Sequence, residues 1–221
     1  MYRQWIKRTI DSICGVAAIV VFAPVIIGVS VLIRLIMGRP ILFRQERPGL
    51  NSRSFTCYKF RTMTNKQDQK GQLLSDRERM VPLGAWLRRT SLDELPQLWN
   101  IVRGDLSFIG PRPLLKEYLP YYTLEEQRRH SLRPGLTGWA QIHGRNNVGF
   151  DERLKMDVWY VDHLSWHLDL GILLATFRIL VSAKGTDLVS YPPLHEQRRL
   201  NLQVHSLGVE AEAQSAPRMQ E

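Results

Sequence analysis

Between Ile13 and Ile33 the chain carries no charged side chain, a run long enough to cross the hydrocarbon core of a bilayer. A proline interrupts it. Pro24, at the middle of the run, removes one helical hydrogen bond and its ring clashes with the carbonyl four residues earlier, so a bend is expected there. The flanks are basic on both sides, with Arg3, Lys7 and Arg8 before the run and Arg34, Arg39, Arg44 and Arg47 after it. Positive charge on both sides gives no inside and outside. An ordinary spanning helix satisfies the hydropathy alone. A helix that enters one leaflet, bends at Pro24 and returns to the same face satisfies hydropathy, proline and charge together. No small-residue cleavage site follows the run, so it is not read as a cleavable signal.

Gly38 and Pro40 close this anchor, assigned to residues 1–37. Residues 38–184 have the length and patterning of one domain with its own core. Residues 185–221 are polar and read as a tail, in part disordered. The net charge of +9 points to an acidic partner without choosing among nucleic acid, anionic lipid and phosphorylated small molecules. Cys14 and Cys57 form no metal or disulfide spacing. Both are expected to be reduced packing residues of a cytosol-facing protein.

Within the domain, residues 41–46 and 54–63 are candidate strands around the turn RPGLNSR, and period-two geometry puts Lys59 and Arg61 on one face of the second. Residues 64–76 read as a loop. A helix is expected from about Asp76 to Arg89, interrupted at Pro82. Another carries Leu92, Leu95, Leu98 and Trp99 at helical spacing, with Pro96 near its start. Arg103-Gly104-Asp105 is a turn, and Arg112 stands between two prolines that restrict its backbone. Thr123 and Glu126 make a capping box for a charged helix through His130. Residues 133–146 read as loop and short strand, and Asp151 to His163 as a helix. Leu168 to Ala183 is apolar but too short to span. It reads as a core or interfacial helix, with Trp166 suited to a headgroup boundary. The pattern predicts an α+β chain: a bent membrane helix, then a mostly helical domain with a small β-hairpin and interfacial amphipathic helices.

The stretch RRTSLDELPQLWN, Arg88 to Asn100, holds the chemistry. Ser91 reads as an N-cap and Glu94 lies three residues on, the spacing of a capping box. Asp93 and Glu94 then occupy a helix first turn, where the macrodipole stabilises negative charge and free N–H groups suit a phosphate. S-x-x-E boxes are common, and these acids need do no more than start a helix. The surrounding Lys59, Arg61, Arg88, Arg89, Arg103 and Arg112 weigh toward chemistry. A carboxylate nucleophile attacking an anionic phosphate needs cations to neutralise the developing charge. Neither H-E-x-x-H nor a Walker A sequence occurs, and no RNA-binding sheet motif is present.

FRQERPGLNSRSFTCYKFRTM, RRTSLDELPQLWNIVRGDLSFIGPRP and RPGLTGWAQIHGRN, in this order, resemble the successive motifs of the bacterial sugar transferases. These are the monotopic phosphoglycosyl transferases of glycan assembly. The resemblance runs from the anchor to about residue 184. It implies that Asp93 takes a phosphosugar from a UDP-sugar, of N-acetylated or deoxy-amino hexose type, releasing UMP. A covalent phosphosugar-aspartyl enzyme then passes the group to undecaprenyl phosphate at the cytoplasmic face of the bacterial inner membrane. It further implies that Asp93 and Glu94 meet Mg²⁺, and that Lys59, Arg88 and Arg112 act around phosphate. Arg145 then approaches the nucleotide sugar, and Asp157 and Asp169 match other polar, substrate-related positions. The chain departs from the pattern at Ala23, where the family often has serine before the bend proline. No nucleic-acid partner is expected, and the oligomeric state is open. The rivals are a membrane-anchored basic binding or scaffold protein without catalysis, and a phosphosugar hydrolase.

Overall fold

A computed structural model describes residues 2–143 and 148–182, together with Leu194, Glu196 and Arg198. After a short π-helical lead, α1 (Lys7–Ile36) runs for 30 residues with Pro24 inside it. Its buried positions, Lys7, Asp11, Gly15, Val29 and Ile33, repeat at four-residue steps on one face at each end. Ala18 and Ile19 pack with Leu98, Ile101 and Leu106. Ile26, Val29 and Ile33 pack with Phe60 and Leu87. Val20, Val21 and Phe22, between those zones, are exposed. Cys14 also faces outward while Cys57 is buried, so only Cys57 is the packing residue expected. At Gly15 an added Cβ would stand 3.1 Å from Val102 Cγ2, which shows how closely the helix lies on the domain.

Polar bonds fasten both ends of α1. At its start Lys7 Nζ donates to Asp169 Oδ2 at 2.6 Å, and Arg8 donates to the Ile101 and Val102 carbonyls at 2.7 and 2.8 Å. Asp11 accepts from the Phe108 N–H at 3.2 Å. Just past its end, Arg61 donates to the Met37 and Arg39 carbonyls at 3.2 and 3.1 Å.

β1 (Leu42–Pro48) and β2 (Ser54–Phe60) form the expected antiparallel hairpin, with Phe43 opposite Lys59, Gln45 opposite Cys57 and Arg47 opposite Phe55. The helix expected over 76–89 is two pieces. α2 (Asp76–Arg79) ends before Pro82, which opens α3 (Pro82–Arg89), as a residue without an N–H does at N1. A short 3₁₀ turn over Leu92–Glu94 leads into α4 (Gln97–Arg103), which Gly104 closes in the left-handed region at φ 91°. β3 (Ser107–Ile109) was not expected; it lies in the stretch before Pro111.

Thr123 and Glu126 form the predicted capping box at α5 (Leu124–Gln127). β4 (Gly135–Thr137) pairs in parallel with β3. Glycines permit the pairing: a Cβ on Gly135 would fall 2.1 Å from the Gly110 nitrogen. α6 (Trp139–His143), α7 (Phe150–Asp162) and α8 (Trp166–Val181) complete the described elements. They close over a core of Ile109, Leu132, Tyr160, Val161 and Ile172. α8 starts at a Ser165 cap and buries Asp169 and Ile172, while Leu170, Leu174, Phe177 and Val181 are exposed. Most of the 185–221 segment lies outside the described residues. Leu194, however, is fully buried with Tyr118, Tyr122 and Leu154, and Arg198 pairs with Glu126 and Asp151. The chain is α+β with helix dominant.

Candidate active site

The two acids do not sit where a capping box would put them. Ser91 takes a left-handed backbone, φ 57° and ψ 16°, and its side chain caps nothing. An N-cap needs extended backbone, so this residue turns the chain instead. The acids occupy the 3₁₀ turn ahead of α4, and Pro96 stands at that helix's N-cap. The Glu94 carboxylate has stronger partners than a backbone N–H. Its Oε1 accepts from Lys59 Nζ at 2.5 Å and from Arg112 Nη2 at 2.9 Å. Charge-assisted bonds of this kind are roughly twice as strong as neutral ones. The cations, rather than a helix macrodipole, hold the negative charge here.

Three elements bring those cations in. Lys59 comes from β2. Arg88 comes from the last turn of α3 and donates from Nε to Thr62 Oγ1 at 3.0 Å. α3 rests directly on the strand end: a Cβ on Gly84 would lie 1.8 Å from the Thr62 carbonyl. Asn100, fully buried on α4, ties β2 to the helix that follows the acids. Its amide donates to the Thr56 carbonyl at 2.7 Å and accepts from the Tyr58 N–H at 3.2 Å. Arg112 comes from the proline-flanked loop, and its carbonyl accepts from Arg129 Nη2 at 2.6 Å.

The result is two neighbouring carboxyls with opposite behaviour. Asp93 is 8% exposed. Burial first, and then the Glu94 charge, push its carboxyl up to about 6, against the pull of Lys59, Arg88 and Arg112. Burial also works against the Glu94 charge, but Arg112 and Lys59 outweigh it and bring that group down to about 2. Glu94 is therefore the standing anion, and Asp93 is a carboxyl that ionises just below neutral pH. That is the setting of a nucleophile that must be charged to attack yet is only partly neutralised at rest.

The structure thus brings Asp93, Glu94, Lys59, Arg88 and Arg112 together. Asp157 stands behind them, in a buried pair with Arg129 at 2.7 Å. It reaches the cluster through the bond from Arg129 to the Arg112 backbone. Asp169 lies at the foot of α1, where it accepts from Lys7, from Tyr2 at 2.6 Å and from Tyr160 at 2.5 Å. Arg145 lies outside the described residues. Pro24 is on α1, away from the acids in sequence and between that helix's two contact zones. Arg129, Asn100 and Thr62 were not singled out from the sequence. Nothing local marks them, since a charged Q-R-R-H stretch reads as a solvated helix face.

Among the described residues no group of three His, Cys, Asp or Glu side chains gathers to hold a metal. The donor chemistry still suits Mg²⁺, which commonly binds through one or two carboxylates and completes its shell with water and substrate phosphate oxygens. Asp93 and Glu94 supply such a pair.

Residues 2–183 match the bacterial sugar transferase family. The chain is 47% identical over 180 residues to an uncharacterized sugar transferase, EpsL, of Bacillus subtilis (strain 168), which covers 81% of this chain and 89% of that protein. It is 37% identical over 189 residues to a UDP-N-acetylgalactosamine-undecaprenyl-phosphate N-acetylgalactosaminephosphotransferase of Aeromonas hydrophila, covering 82% of this chain and 45% of that one. It is 32% identical over 199 residues to an undecaprenyl-phosphate galactose phosphotransferase of Salmonella typhimurium, covering 82% and 42%. The chain thus spans less than half the length of these last two relatives. The match takes in α1, the hairpin and every residue of the charged cluster, and on it the chain belongs to the bacterial sugar transferase family.

Proposed function

We propose that this protein transfers a sugar 1-phosphate from a UDP-sugar to undecaprenyl phosphate, releasing UMP, through a covalent intermediate on Asp93. The observation that carries this reading is the Asp93–Glu94 pair: one carboxyl ionises near pH 6 while its neighbour is neutralised by Lys59 and Arg112. In the first step an Asp93 carboxylate oxygen attacks the sugar-bearing phosphorus. The bond from that phosphorus to the bridging oxygen breaks, and UMP leaves with the electron pair. In the second step a phosphate oxygen of the lipid attacks the same phosphorus, and the Asp93 carboxylate departs unchanged. Lys59, Arg88 and Arg112 neutralise charge on the oxygens in both displacements. Asp93 and Glu94 would hold Mg²⁺, and the ion would supply further charge neutralisation when bound. The names of the Aeromonas and Salmonella relatives, an N-acetylgalactosamine and a galactose phosphotransferase, support a hexose-type donor.

The anchor supports the same reading. Residues 1–37 are read as a re-entrant anchor, 38–184 as the catalytic domain and 185–221 as a tail. Both ends of α1 are bonded to one domain, whereas a spanning helix would carry one end across the bilayer. With the apolar outer faces of α1 and α8, this suits a domain seated at headgroup height on the cytoplasmic face of the bacterial inner membrane. There a lipid phosphate reaches Asp93 without leaving the bilayer.

The test is UMP release from a panel of UDP-sugars with Mg²⁺ and undecaprenyl phosphate, wild type against Asp93→Asn. Mass spectrometry of wild type lacking acceptor looks for the phosphosugar adduct. Lipid-dependent release that vanishes in Asp93→Asn supports transfer. Steady release without lipid makes the protein a hydrolase, and no release with any donor returns it to a binding role.

A further inference from the structure

The inner face of the hairpin carries one cation that the transfer reading does not use. In the β1–β2 register, Phe43, Gln45 and Arg47 stand opposite Lys59, Cys57 and Phe55, and directly opposed residues share a face. Arg47 therefore lies on the same face as Lys59, two positions along β1 from Gln45. Cys57, Arg112, Tyr118 and Glu117 lie near enough for their charges to act on it.

Its partners differ from those of its neighbours. Lys59 and Arg112 both bind Glu94, and Arg129 binds Asp157. Arg47 donates from Nη2 to the neutral Gln45 Oε1 at 2.6 Å. Among the described residues no carboxylate stands within ion-pair distance of it. Glu46, its sequence neighbour, pairs with Lys116 at 3.2 Å. Burial, and then Arg112 as a like charge, work against the charged form of Arg47. Glu117 favours the charge from beyond ion-pair distance, but a half-buried guanidinium with an amide brace and no paired carboxylate is costly to keep. It is complemented when an anion arrives with a ligand, and a planar guanidinium suits the oxygens of a phosphate.

We propose that Arg47, braced by Gln45, is a second phosphate-binding position adjoining Arg112, holding a phosphate group other than the one being transferred. The inference rests on the transfer reading for its ligands, which offer two sources of that chemistry. One is the nucleotide phosphate of the donor, and the other is the phosphate of the lipid acceptor.

The experiment uses the full chain, as wild type, Arg47→Gln and Arg47→Lys, in detergent. UDP binding is read by calorimetry, KM for donor and acceptor by UMP release, and folding by thermal unfolding. Loss of one charge-assisted contact is expected to weaken UDP binding about ten- to hundredfold in Arg47→Gln, with a Tm at or above that of wild type, and a smaller loss of binding in Arg47→Lys. That result assigns the position to the donor. Unchanged UDP binding with an equally raised acceptor KM assigns it to the lipid phosphate. Unchanged binding and unchanged KM values in folded Arg47→Gln overturn the proposal, as does a wild type that binds no UDP and shows no acceptor dependence. If Arg47→Gln does not fold, Arg47→Lys decides: weakened affinity at unchanged Tm supports the position, and lowered Tm at unchanged affinity overturns it. Absence of turnover with every donor defeats the transfer reading, yet UDP binding that depends on Arg47 still supports this position.

Discussion

Arg129 grips Asp157 and the backbone of Arg112 with the same nitrogen: Nη2 lies 2.7 Å from Asp157 Oδ2 and 2.6 Å from the Arg112 carbonyl. The pair is almost wholly buried, with side chains 2% and 5% exposed. Asp157 thus acts on the site at one remove, as the counter-charge that lets Arg129 hold the loop.

Removing that counter-charge is expected to be severe. Asp157→Ala leaves a buried guanidinium unpaired, at a cost of about 3–5 kcal/mol. Asp157→Asn keeps the shape and one acceptor and should cost less. In the folded Asn variant the loop bearing Arg112 loosens, so KM for the donor should rise more than kcat falls. Measured together, Tm and the two constants check this. A kcat loss at unchanged KM would place Asp157 in the chemistry instead.

Asp93→Asn should abolish transfer and stabilise the protein. The folded carboxyl ionises at about 6 against an ordinary value of 3.8. Below pH 3.8 both states hold the proton and the group contributes nothing. Between 3.8 and 6 the unfolded chain gives up its proton first, so stability falls as pH rises, and above 6 the full penalty remains. Asparagine escapes it, a gain on the order of 2–3 kcal/mol at pH 7.5. The Tm difference should vanish by pH 4. His130, held neutral by burial and by Arg129 down to about 4, loses stability as pH falls from 6.5, but equally in both proteins. In wild type, kcat/KM should rise with pH as Asp93 ionises, at about 6 in the metal-free site and lower where Mg²⁺ binds the same carboxyl. A variant less stable than wild type at pH 7.5 would show that the Asp93 charge is well compensated.

Glu94→Gln removes the like charge beside Asp93 and frees Lys59 and Arg112 to turn toward it. The acid limb of the rate profile should then move to lower pH, while the Mg²⁺ concentration for half-maximal rate rises because one carboxylate ligand is gone. Chelation by EDTA should stop wild-type turnover and added Mg²⁺ restore it. An unmoved limb with unchanged Mg²⁺ demand would deny Glu94 both influences.

Local rules and long-range contacts explain what was legible beforehand. Alternation marked the hairpin, Thr123 and Glu126 marked α5, and the apolar run marked α1, because each signal is complete within a few residues. The same rule failed at Ser91. Its supposed box partner, Glu94, is claimed by Lys59, 35 residues earlier, and Arg112, 18 residues later. A short strand was read within 133–146, where β4 lies, but its partner β3 was missed because it is three residues long and the pairing depends on glycines that meet only in the fold. The carboxyls and cations of the site were readable as residue types. That Arg129, Asn100 and Thr62 support them was not, since a buried role for a polar residue appears only once its partner is in place.

The fastening of α1 makes a prediction about topology. Lys7 and Arg8 at its start and Arg61 just past its end all bind one domain. On the re-entrant reading proposed above, both ends of the helix lie on the domain's side of the bilayer. A reporter that is active only in the cytoplasm should therefore work when fused ahead of Tyr2, and a periplasm-dependent one should not. Lys7→Met tests the fastening itself. It strips the buried Asp169 of its cation and leaves Tyr2 and Tyr160 as its partners, at a cost of about 3–5 kcal/mol. The start of the helix should then release, and some of the N-terminal reporter should become accessible from the periplasm. A Lys7→Met protein with wild-type Tm and wild-type topology would show that packing of Gly15, Ala18 and Ile19 alone sets the anchor.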